Sequence, residues 1–282
     1  MTTDALTERA ERAEAEMFHQ LISMAPAEVK TRFGIATTRI GGGVVTSVRD
    51  VVTGYWSDAM GFGIDEPVTA ALVDEIVDFF TTEANPDALI HIAPALLPDD
   101  WPAICERHGI RPSGARYQHI CPVEDLRIIA STDLRVGPAT DGLEWTRFTM
   151  REFGMPEDDF ASLLGPCYGS ANVKLFAAWD GDHMVAGASV FIWQDVAVLN
   201  SSSTSAGRRN RGAQSALIDI RARAATWVGV GTLDLFHDED LAYAERLVAA
   251  GVPCDVEVVA GTYHGFDGIH QNAPVSRAFV QS

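Results

Sequence analysis

Three apolar runs separated by turn signals constrain the fold of this chain more than any other feature. They occupy residues 173–179, 184–193 and 196–202. The intervals between them are Asp180-Gly181-Asp182 and Gln194-Asp195. Short breaks of this composition between β-prone runs are typical of hairpin turns. The pattern therefore predicts three successive antiparallel strands.

A basic loop follows the third run. Arg208, Arg209 and Arg211 stand beside Gly212, and an alanine-rich stretch that predicts a helix begins at Gln214. A helix N-terminus carries partial positive charge from its unpaired N–H groups, so three arginines beside it are unfavourable unless an anion is bound there. The loop therefore predicts a phosphate-binding site, and a solvated, arginine-rich surface loop is the alternative.

The spacing of the loop residues resembles the RxxGxG/A signature of GNAT-type N-acetyltransferases, with Gln214 where the family has Gly or Ala. This resemblance implies acetyl-CoA as the cofactor and acyl donor. It implies that the loop amides and the first helical turn hold the pyrophosphate, with the pantetheine beside the preceding strand end. The residues implied in cofactor binding are Ser203, Thr204, Arg209, Asn210, Arg211, Gly212, Ala213 and Gln214. No metal site is predicted.

The order of the predicted elements resembles the same family across residues 126–226. A first strand is predicted at residues 134–140, and helical pieces at residues 143–164 are divided at Gly154 and Pro156. With the three strands, the loop and the following helix, the order is β, α, α, β, β, β, loop, α. This is the order of the GNAT core from its first strand to its cofactor-binding helix.

The first 125 residues are interpreted as a separate module. Apolar spacing predicts a helix at residues 66–80, then a turn, a strand at 88–92 and a helix at 101–108 that Gly109 ends. The module resembles the degenerate N-terminal half of tandem GNAT proteins. Gly41-Gly42-Gly43 is interpreted as a flexible turn rather than a nucleotide loop, because no basic residue or helix start follows closely.

The segment 227–282 resembles the C-terminal end of hormone-sensitive-lipase-like α/β-hydrolases. The resemblance rests on a predicted strand ending at Asp234 and on an HGF sequence at His264, and it implies that these are the acid and the histidine of a catalytic triad. No GxSxG nucleophile elbow occurs in the chain. The nearest candidate is Ser205, which stands too close to Asp234 for the strands and helices that a hydrolase sheet places between them.

The sequence thus predicts an α/β chain of the α+β type. Two GNAT-like mixed-sheet modules occupy residues 1–125 and 126–226, and a hydrolase-like β-α-β segment at 227–282 completes the second one. The predicted activity is transfer of an acetyl or acyl group from acyl-CoA to a small amine. Carboxylester hydrolysis and a catalytically dead, CoA-binding gene fusion are the alternatives.

The acid and base of acyl transfer are unassigned. Many GNAT enzymes have a tyrosine four residues before a Gly-Phe pair, but Leu247 stands at that distance from Gly251-Val252 here, and Tyr243 lies one helical turn earlier. The acidic turn around Asp234, His237, Asp238 and Glu239 is interpreted either as a place for a base or as a helix cap.

The charge of the chain limits its partners. A formal net charge of -18 excludes nucleic acid and anionic membranes as expected partners and favours a cationic amine as the acceptor. No apolar run is long enough to span a membrane and no secretory signal is present, so a soluble, cytoplasmic protein is expected. The 4 cysteines stand apart from one another and predict free thiols.

Overall fold

The computed structural model describes residues 3–51, 56–85, 87–122, 131–165, 168, 172–225, 228–249 and 254–281. The helices are α1 (Thr3–Ser23), α2 (Ala27–Phe33), α3 (Ala70–Thr82), α4 (Trp101–His108), α5 (Gly142–Glu152), α6 (Glu157–Leu164), α7 (Ala213–Ala225), α8 (His237–Ala249), α9 (Phe266–Ile269) and α10 (Pro274–Gln281). The strands are β1 (Ile35–Ile40), β2 (Gly43–Val48), β3 (Asp58–Met60), β4 (Leu89–Ile90), β5 (Arg135–Pro138), β6 (Val173–Asp180), β7 (His183–Trp193), β8 (Val196–Thr204), β9 (Val228–Gly231) and β10 (Val256–Val259). The predicted module boundaries near residues 125 and 226, and the Gly251-Val252 pair, lie outside the described residues.

The N-terminal sheet has the order β1-β2-β3-β4, with the last pair parallel. Gly41 and Gly42 form a two-residue turn between β1 and β2, and both have positive φ, which is typical of a tight hairpin. The triple glycine is therefore a hairpin turn and the start of a strand, as the sequence indicated. Helix α3 begins at Ala70 and not at residue 66, because Pro67 precedes it and the Thr69 side chain caps it by accepting the Leu72 N–H.

The second sheet has the order β5-β6-β7-β8 and is antiparallel throughout. It confirms the three predicted strands, and α5 and α6 confirm the helical pieces divided around Gly154 and Pro156. Helices α5 and α6 cover one face, where Leu175 and Phe191 are buried, and α7 covers the other face, where Phe176 and Leu217 are buried. Neighbouring residues of β6 therefore face opposite helices, as alternation along a strand requires.

Helix α1 joins the two sheets into one packed unit. Phe18 and Ile22 on α1 belong to a single buried cluster that includes Val48 of β2 and Phe191 of β7. No helix was predicted here, because the many acidic and basic residues of this stretch interrupt the apolar spacing of its buried face. The predicted modules at 1–125 and 126–226 therefore share a core across α1.

The tail forms a small unit of its own. Strands β9 and β10 pair in parallel, with α8 between them along the chain, so the predicted β-α-β segment is present. Within the described residues this pair forms a separate two-stranded sheet and does not extend the sheet that ends at β8. Several large apolar side chains of the tail are exposed, including Leu233, Leu235 and Ile269. The tail thus has less core than the preceding sheets.

The described part of the chain has no helix that is long and apolar enough to cross a membrane. It also contains no group of three or more His, Cys, Asp or Glu residues that could hold a metal ion. Cys105, Cys121 and Cys254 have free thiols.

Candidate functional site

The loop between β8 and α7 has a backbone that only particular residues can adopt. After a short 3-10 helix at Ala206–Arg208, Asn210 and Gly212 take left-handed conformations with φ of 64° and 77°. A Cβ on Gly212 would lie 2.0 Å from the carbonyl oxygen of Ser131. Glycine is therefore needed here for two reasons. A side chain would strain the left-handed backbone, and it would also clash with the backbone at Ser131.

Gln214, the departure from the GNAT signature, joins the loop to the sheet. Its Nε2 donates to the Ser203 carbonyl at 2.7 Å and to Thr204 Oγ1 at 2.9 Å. These bonds fix the first turn of α7 against the end of β8. Within the described residues, the backbone N–H groups of Ala213, Gln214 and Ser215 have no hydrogen-bond partner. Such a set of N–H groups at a helix start suits an anion.

The ion pairs of the loop arginines differ from the expectation that a bound anion offsets their charge. Arg211 forms ion pairs with Asp133 and Asp180, and Arg208 pairs with Asp180 at 2.9 Å. Two of the three arginines are thus neutralised by protein carboxylates, so the expectation that only a bound anion offsets them is wrong. Arg209 is exposed and forms no ion pair with any described residue.

The ion pairs also shift the ionisation of their members. Hydrogen bonds from Arg211 hold the pKa values of Asp133 and Asp180 below the usual range of an aspartate. Those two carboxylates, Asp133 first, raise the pKa of Arg211. The loop is therefore held to Asp133, two residues before β5, and to the end of β6 by charges that remain ionised at neutral pH.

Strand β8 contains a bulge just before the loop. Gly187 pairs with Ser203 while Ser189 pairs with Asn200, so Ser201 and Ser202 stand opposite a single residue of β7. Ser201 has a left-handed φ of 49°, which is unusual for a residue other than glycine. Bulges and such backbone conformations recur beside functional sites.

Arg221 of α7 lies behind this bulge and was missed by the sequence analysis. It is 2% exposed and donates from Nη1 to the carbonyls of Ser189 at 3.0 Å and Asn200 at 3.4 Å. Burial lowers its pKa to about 10. A buried arginine held by carbonyl groups fixes the irregular part of β8, and nothing in an alanine-rich helix distinguishes it from a surface arginine.

The face of β8 toward α5 carries hydroxyl groups. The Tyr168 hydroxyl lies 3.5 Å from Ser201 Oγ, and Ser205 Oγ donates to Glu152 Oε1 at 2.9 Å. Ser203 is 6% exposed, so its hydroxyl, implied in cofactor binding, does not face solvent. Glu152 could not be identified from the sequence, because only the packing of α5 on the sheet brings it to the end of β8.

The tail brings Asp234 and His264 together. His264 Nδ1 lies 3.1 Å from Asp234 Oδ2, and the backbone N–H of Phe236 donates to Asp234 Oδ1 at 2.9 Å. The Asp234 side chain is 7% exposed and that of His264 is 70% exposed. The hydrogen bond from Phe236, and then that from His264, lower the pKa of Asp234. The geometry is that of an oriented acid–histidine pair.

No serine completes this pair within the described residues. Among the described residues, His264 forms a hydrogen bond only with Asp234, and Ser205 donates to Glu152. Ser205 has φ of -54° and ψ of 133°, an unstrained conformation, whereas a nucleophile elbow is strained. Ser205 therefore lacks both the partner and the backbone conformation of an esterase nucleophile.

The acidic turn before α8 has a structural explanation. Asp234 accepts the Phe236 N–H, and His237, the first residue of α8, lies 2.8 Å from Asp238 through its Nδ1. Carboxylates in the first turn of a helix stabilise its N-terminus. These contacts favour the helix-cap interpretation. Tyr243 is half-exposed and contacts the Arg246 guanidinium.

Comparison with known proteins returned both families named above. A family model described as an alpha/beta hydrolase fold matches residues 171–268, which is less than half of the chain and begins upstream of the tail. A solved structure of a GCN5-related N-acetyltransferase from Kribbella flavida is 16% identical, covers 89% of this chain and 84% of its own, and has a TM-score of 0.45. No curated protein sequence matches the chain.

Proposed function

We propose that this chain binds an acyl-CoA, with acetyl-CoA as the donor, and transfers the acyl group to a small cationic amine. The observation that carries the proposal is the loop between β8 and α7. Its left-handed Asn210 and Gly212 lead into a helix start whose N–H groups have no partner among the described residues, and Arg209 stands beside it without an ion pair. These are the features of a diphosphate site.

In this proposal some residues of the loop bind the ligand and others hold the loop in its conformation. Arg209 and the amides of Ala213 and Gln214 bind the pyrophosphate, while Arg211 and Gly212 hold the loop in shape through Asp133, Asp180 and the Ser131 backbone. The Gln214 side chain anchors the helix and leaves its backbone amide for the ligand. Thr204 and the bulged end of β8 lie beside the pantetheine.

The wider setting also belongs to this proposal. We place the reaction in the cytoplasm, and we retain three parts of the chain, at 1–125, 126–226 and 227–282, with the last acquired by gene fusion. The two parallel strands of the tail and its separate sheet are consistent with such an origin.

A second candidate function is carboxylester hydrolysis. The Asp234–His264 pair and the family match over residues 171–268 favour it. It requires a serine within hydrogen-bond reach of His264, and the described residues place none there. Labelling by a fluorophosphonate tests it, because an activated serine gives an adduct visible in the intact mass and an unactivated one does not.

Calorimetric titration with acetyl-CoA tests the leading proposal. Arg209→Ala removes the arginine that has no described ion pair, so it leaves the ion pairs of Arg211 intact. A hydrogen bond between charged groups contributes about 1.5 to 3 kcal/mol, so we expect the Kd for acetyl-CoA to rise about tenfold or more. Arg223→Ala is the control, since it removes the same charge from the last turn of α7, at the end of the helix away from the loop.

The control should bind acetyl-CoA with nearly the affinity of the parent protein. Equal affinity in Arg209→Ala and the parent would overturn the phosphate assignment. Absence of any binding heat in the parent protein would overturn the assignment of acetyl-CoA as the cofactor. Binding without acetyl transfer would support the catalytically dead, CoA-binding alternative.

A further inference from the structure

A polar seam runs between β8 and α5, on the face of the sheet opposite α7. Tyr168, which packs edge-to-face on Trp145 of α5 with ring centroids 5.0 Å apart, reaches Ser201 from this face. Ser205, directly after β8, donates to Glu152, the last residue of α5. The seam therefore follows β8 from its bulge to the start of the candidate cofactor loop.

Two buried hydroxyl groups of the seam have no hydrogen-bond partner in the part of the chain that the structure describes. Thr149 Oγ1 and Ser203 Oγ have no hydrogen bond to any described residue, although both side chains are at least nine-tenths buried. They are neighbours through Gly187, which pairs with Ser203 and whose absent Cβ would lie 3.0 Å from Thr149 Oγ1. A buried hydroxyl without a partner is costly, and two in one seam indicate a place that a ligand completes.

Glu152 lies at the more exposed end of this seam. Its side chain is 19% exposed, and its second oxygen, Oε2, has no hydrogen bond within the described residues. Thr149 lies three residues earlier on the same side of α5. Arg151 Nε is 4.0 Å from Glu152, but the stronger pair of Arg151 is with Glu157 at 3.3 Å. The Glu152 carboxylate is thus oriented by Ser205 and has one oxygen available.

We propose that Glu152 is the residue that binds the acceptor and takes its proton, and that the acceptor is a primary amine protonated at neutral pH. This assignment rests on the acyl transfer proposed above. Glu152 removes one proton from the ammonium group. The neutral nitrogen forms a C–N bond with the thioester carbonyl carbon as the C–S bond breaks, and the second proton lost from nitrogen ends on the CoA thiolate.

The chemistry of the seam supports this choice of acceptor. A carboxylate with a free oxygen attracts an ammonium group, and the hydroxyls of Thr149 and Ser203 can accept or donate further hydrogen bonds. The net charge of -18 raises the local concentration of cationic substrates. Ser205 then acts as a positioning residue for Glu152 rather than as a nucleophile.

Glu152→Gln tests the assignment. Glutamine keeps an oxygen that can accept from Ser205 and removes the charge and the proton acceptor. We expect kcat/KM for the amine to fall at least about 100-fold, the usual contribution of a general base, with the Kd for acetyl-CoA unchanged. The acceptor probes are tyramine, spermidine and Nα-acetyl-lysine, assayed by release of free CoA thiol. Glu144→Gln, an exposed glutamate on the same helix, is the matched control.

The outcomes separate this assignment from the function on which it rests. Unchanged turnover in Glu152→Gln, or acetyl-CoA binding by the parent protein without transfer to any of the three probes, overturns the amine site and leaves the cofactor site standing. If Glu152→Gln fails to fold, Ser205→Ala replaces it. That variant is expected to lower kcat more than it raises KM, and an unaltered kcat would overturn the positioning role.

Discussion

The loop after β8 and the Asp234–His264 pair are both short motifs that predict chemistry, but their surroundings differ. Three residues tie the loop to its surroundings: Gly212 packs on the Ser131 backbone, Arg211 binds Asp133 and Asp180, and Gln214 binds the end of β8. The pair in the tail lies beside a two-stranded sheet, and His264 is largely exposed. A motif can therefore bring its own residues together without acquiring the partners that its chemistry needs.

The two regions also use carboxylates differently. At the loop, Asp133 and Asp180 compensate arginines and leave Arg209 as the cation available to a ligand. In the tail, Asp234 accepts hydrogen bonds from the Phe236 N–H and from His264, so its charge stabilises the turn before α8. The loop thus has a charged group that can bind a ligand, whereas the described contacts of the Asp234 carboxylate are all with other parts of the tail.

Gly212→Ala is expected to have the largest effect and would sharpen the comparison most. The new Cβ would meet the Ser131 carbonyl, and the left-handed backbone would carry a side chain. Left-handed strain and overpacking together predict a loss of about 2 to 5 kcal/mol in the free energy of unfolding. Urea unfolding measures this loss, and calorimetry should show that acetyl-CoA binding is lost or strongly weakened.

Gly207→Ala is the control for that change. Gly207 lies in the same loop, and a Cβ there would meet no atom within 4 Å. We expect its free energy of unfolding to stay within about 0.5 kcal/mol of the parent value. Equal stability of the two variants would show that the loop tolerates a side chain at Gly212 and would remove the contrast between a fixed loop and an open tail.

Asp180→Asn should have an intermediate effect, in the direction of tighter binding. Asp180 pairs with both Arg208 and Arg211, so its removal frees positive charge beside the helix start, while Asp133 still holds Arg211 and with it the loop. Exposed ion pairs contribute up to about 1 kcal/mol, which predicts a two- to fivefold lower Kd for acetyl-CoA. The gain should shrink as salt is added, because screening weakens exposed charges.

Asp234→Asn provides the comparison for this prediction. It removes the same charge from the tail, and the acetyl-CoA affinity should not change if the tail is independent of the cofactor site. An equal gain in both variants would attribute the effect to net charge alone. A gain in Asp234→Asn only would reverse the assignment of the two regions.

Much of the second sheet could be predicted from sequence because its signals are local. Turns form at Asp180-Gly181-Asp182 and at Gln194-Asp195, and Pro156 separates two helices. These signals do not depend on contacts with distant parts of the chain. The order of strand, loop and helix around Gly212 was predictable for the same reason, since these elements are consecutive along the chain. The ion pairs of Arg211 were not, because they join residues far apart in the chain.

Other parts of the molecule depend on packing alone. His91 Nε2 lies 2.7 Å from Asp58 Oδ1, because parallel pairing of β3 with β4 brings the two side chains together. Burial raises the pKa of Asp58, and its Oδ2 has no partner among the described residues. No sequence motif predicts this acid–histidine pair. Glu152 is a similar case, since its role depends on where α5 ends against β8.

His264→Ala is expected to have the smallest effect, and it bears most directly on the tail. His264 is largely exposed, and the Phe236 N–H still stabilises the Asp234 carboxylate after the change. The acetyl-CoA Kd should therefore stay within about twofold of the parent value, as for sites that share no partners. The parent protein should give no fluorophosphonate adduct, so the variant has no adduct to lose.

The pH dependence of stability gives the same variant a second test. A carboxyl whose pKa is lowered by folding stabilises the protein above its unfolded pKa, and that contribution is lost as the pH falls through its folded pKa. For Asp234 the window therefore lies below the ordinary aspartate value of about 3.9. Since the Phe236 N–H is the larger cause of the lowered pKa, His264→Ala should shift this acid limb only slightly. A fluorophosphonate adduct on the parent that disappears in His264→Ala would instead establish a working triad and make the tail, rather than the loop, the active region.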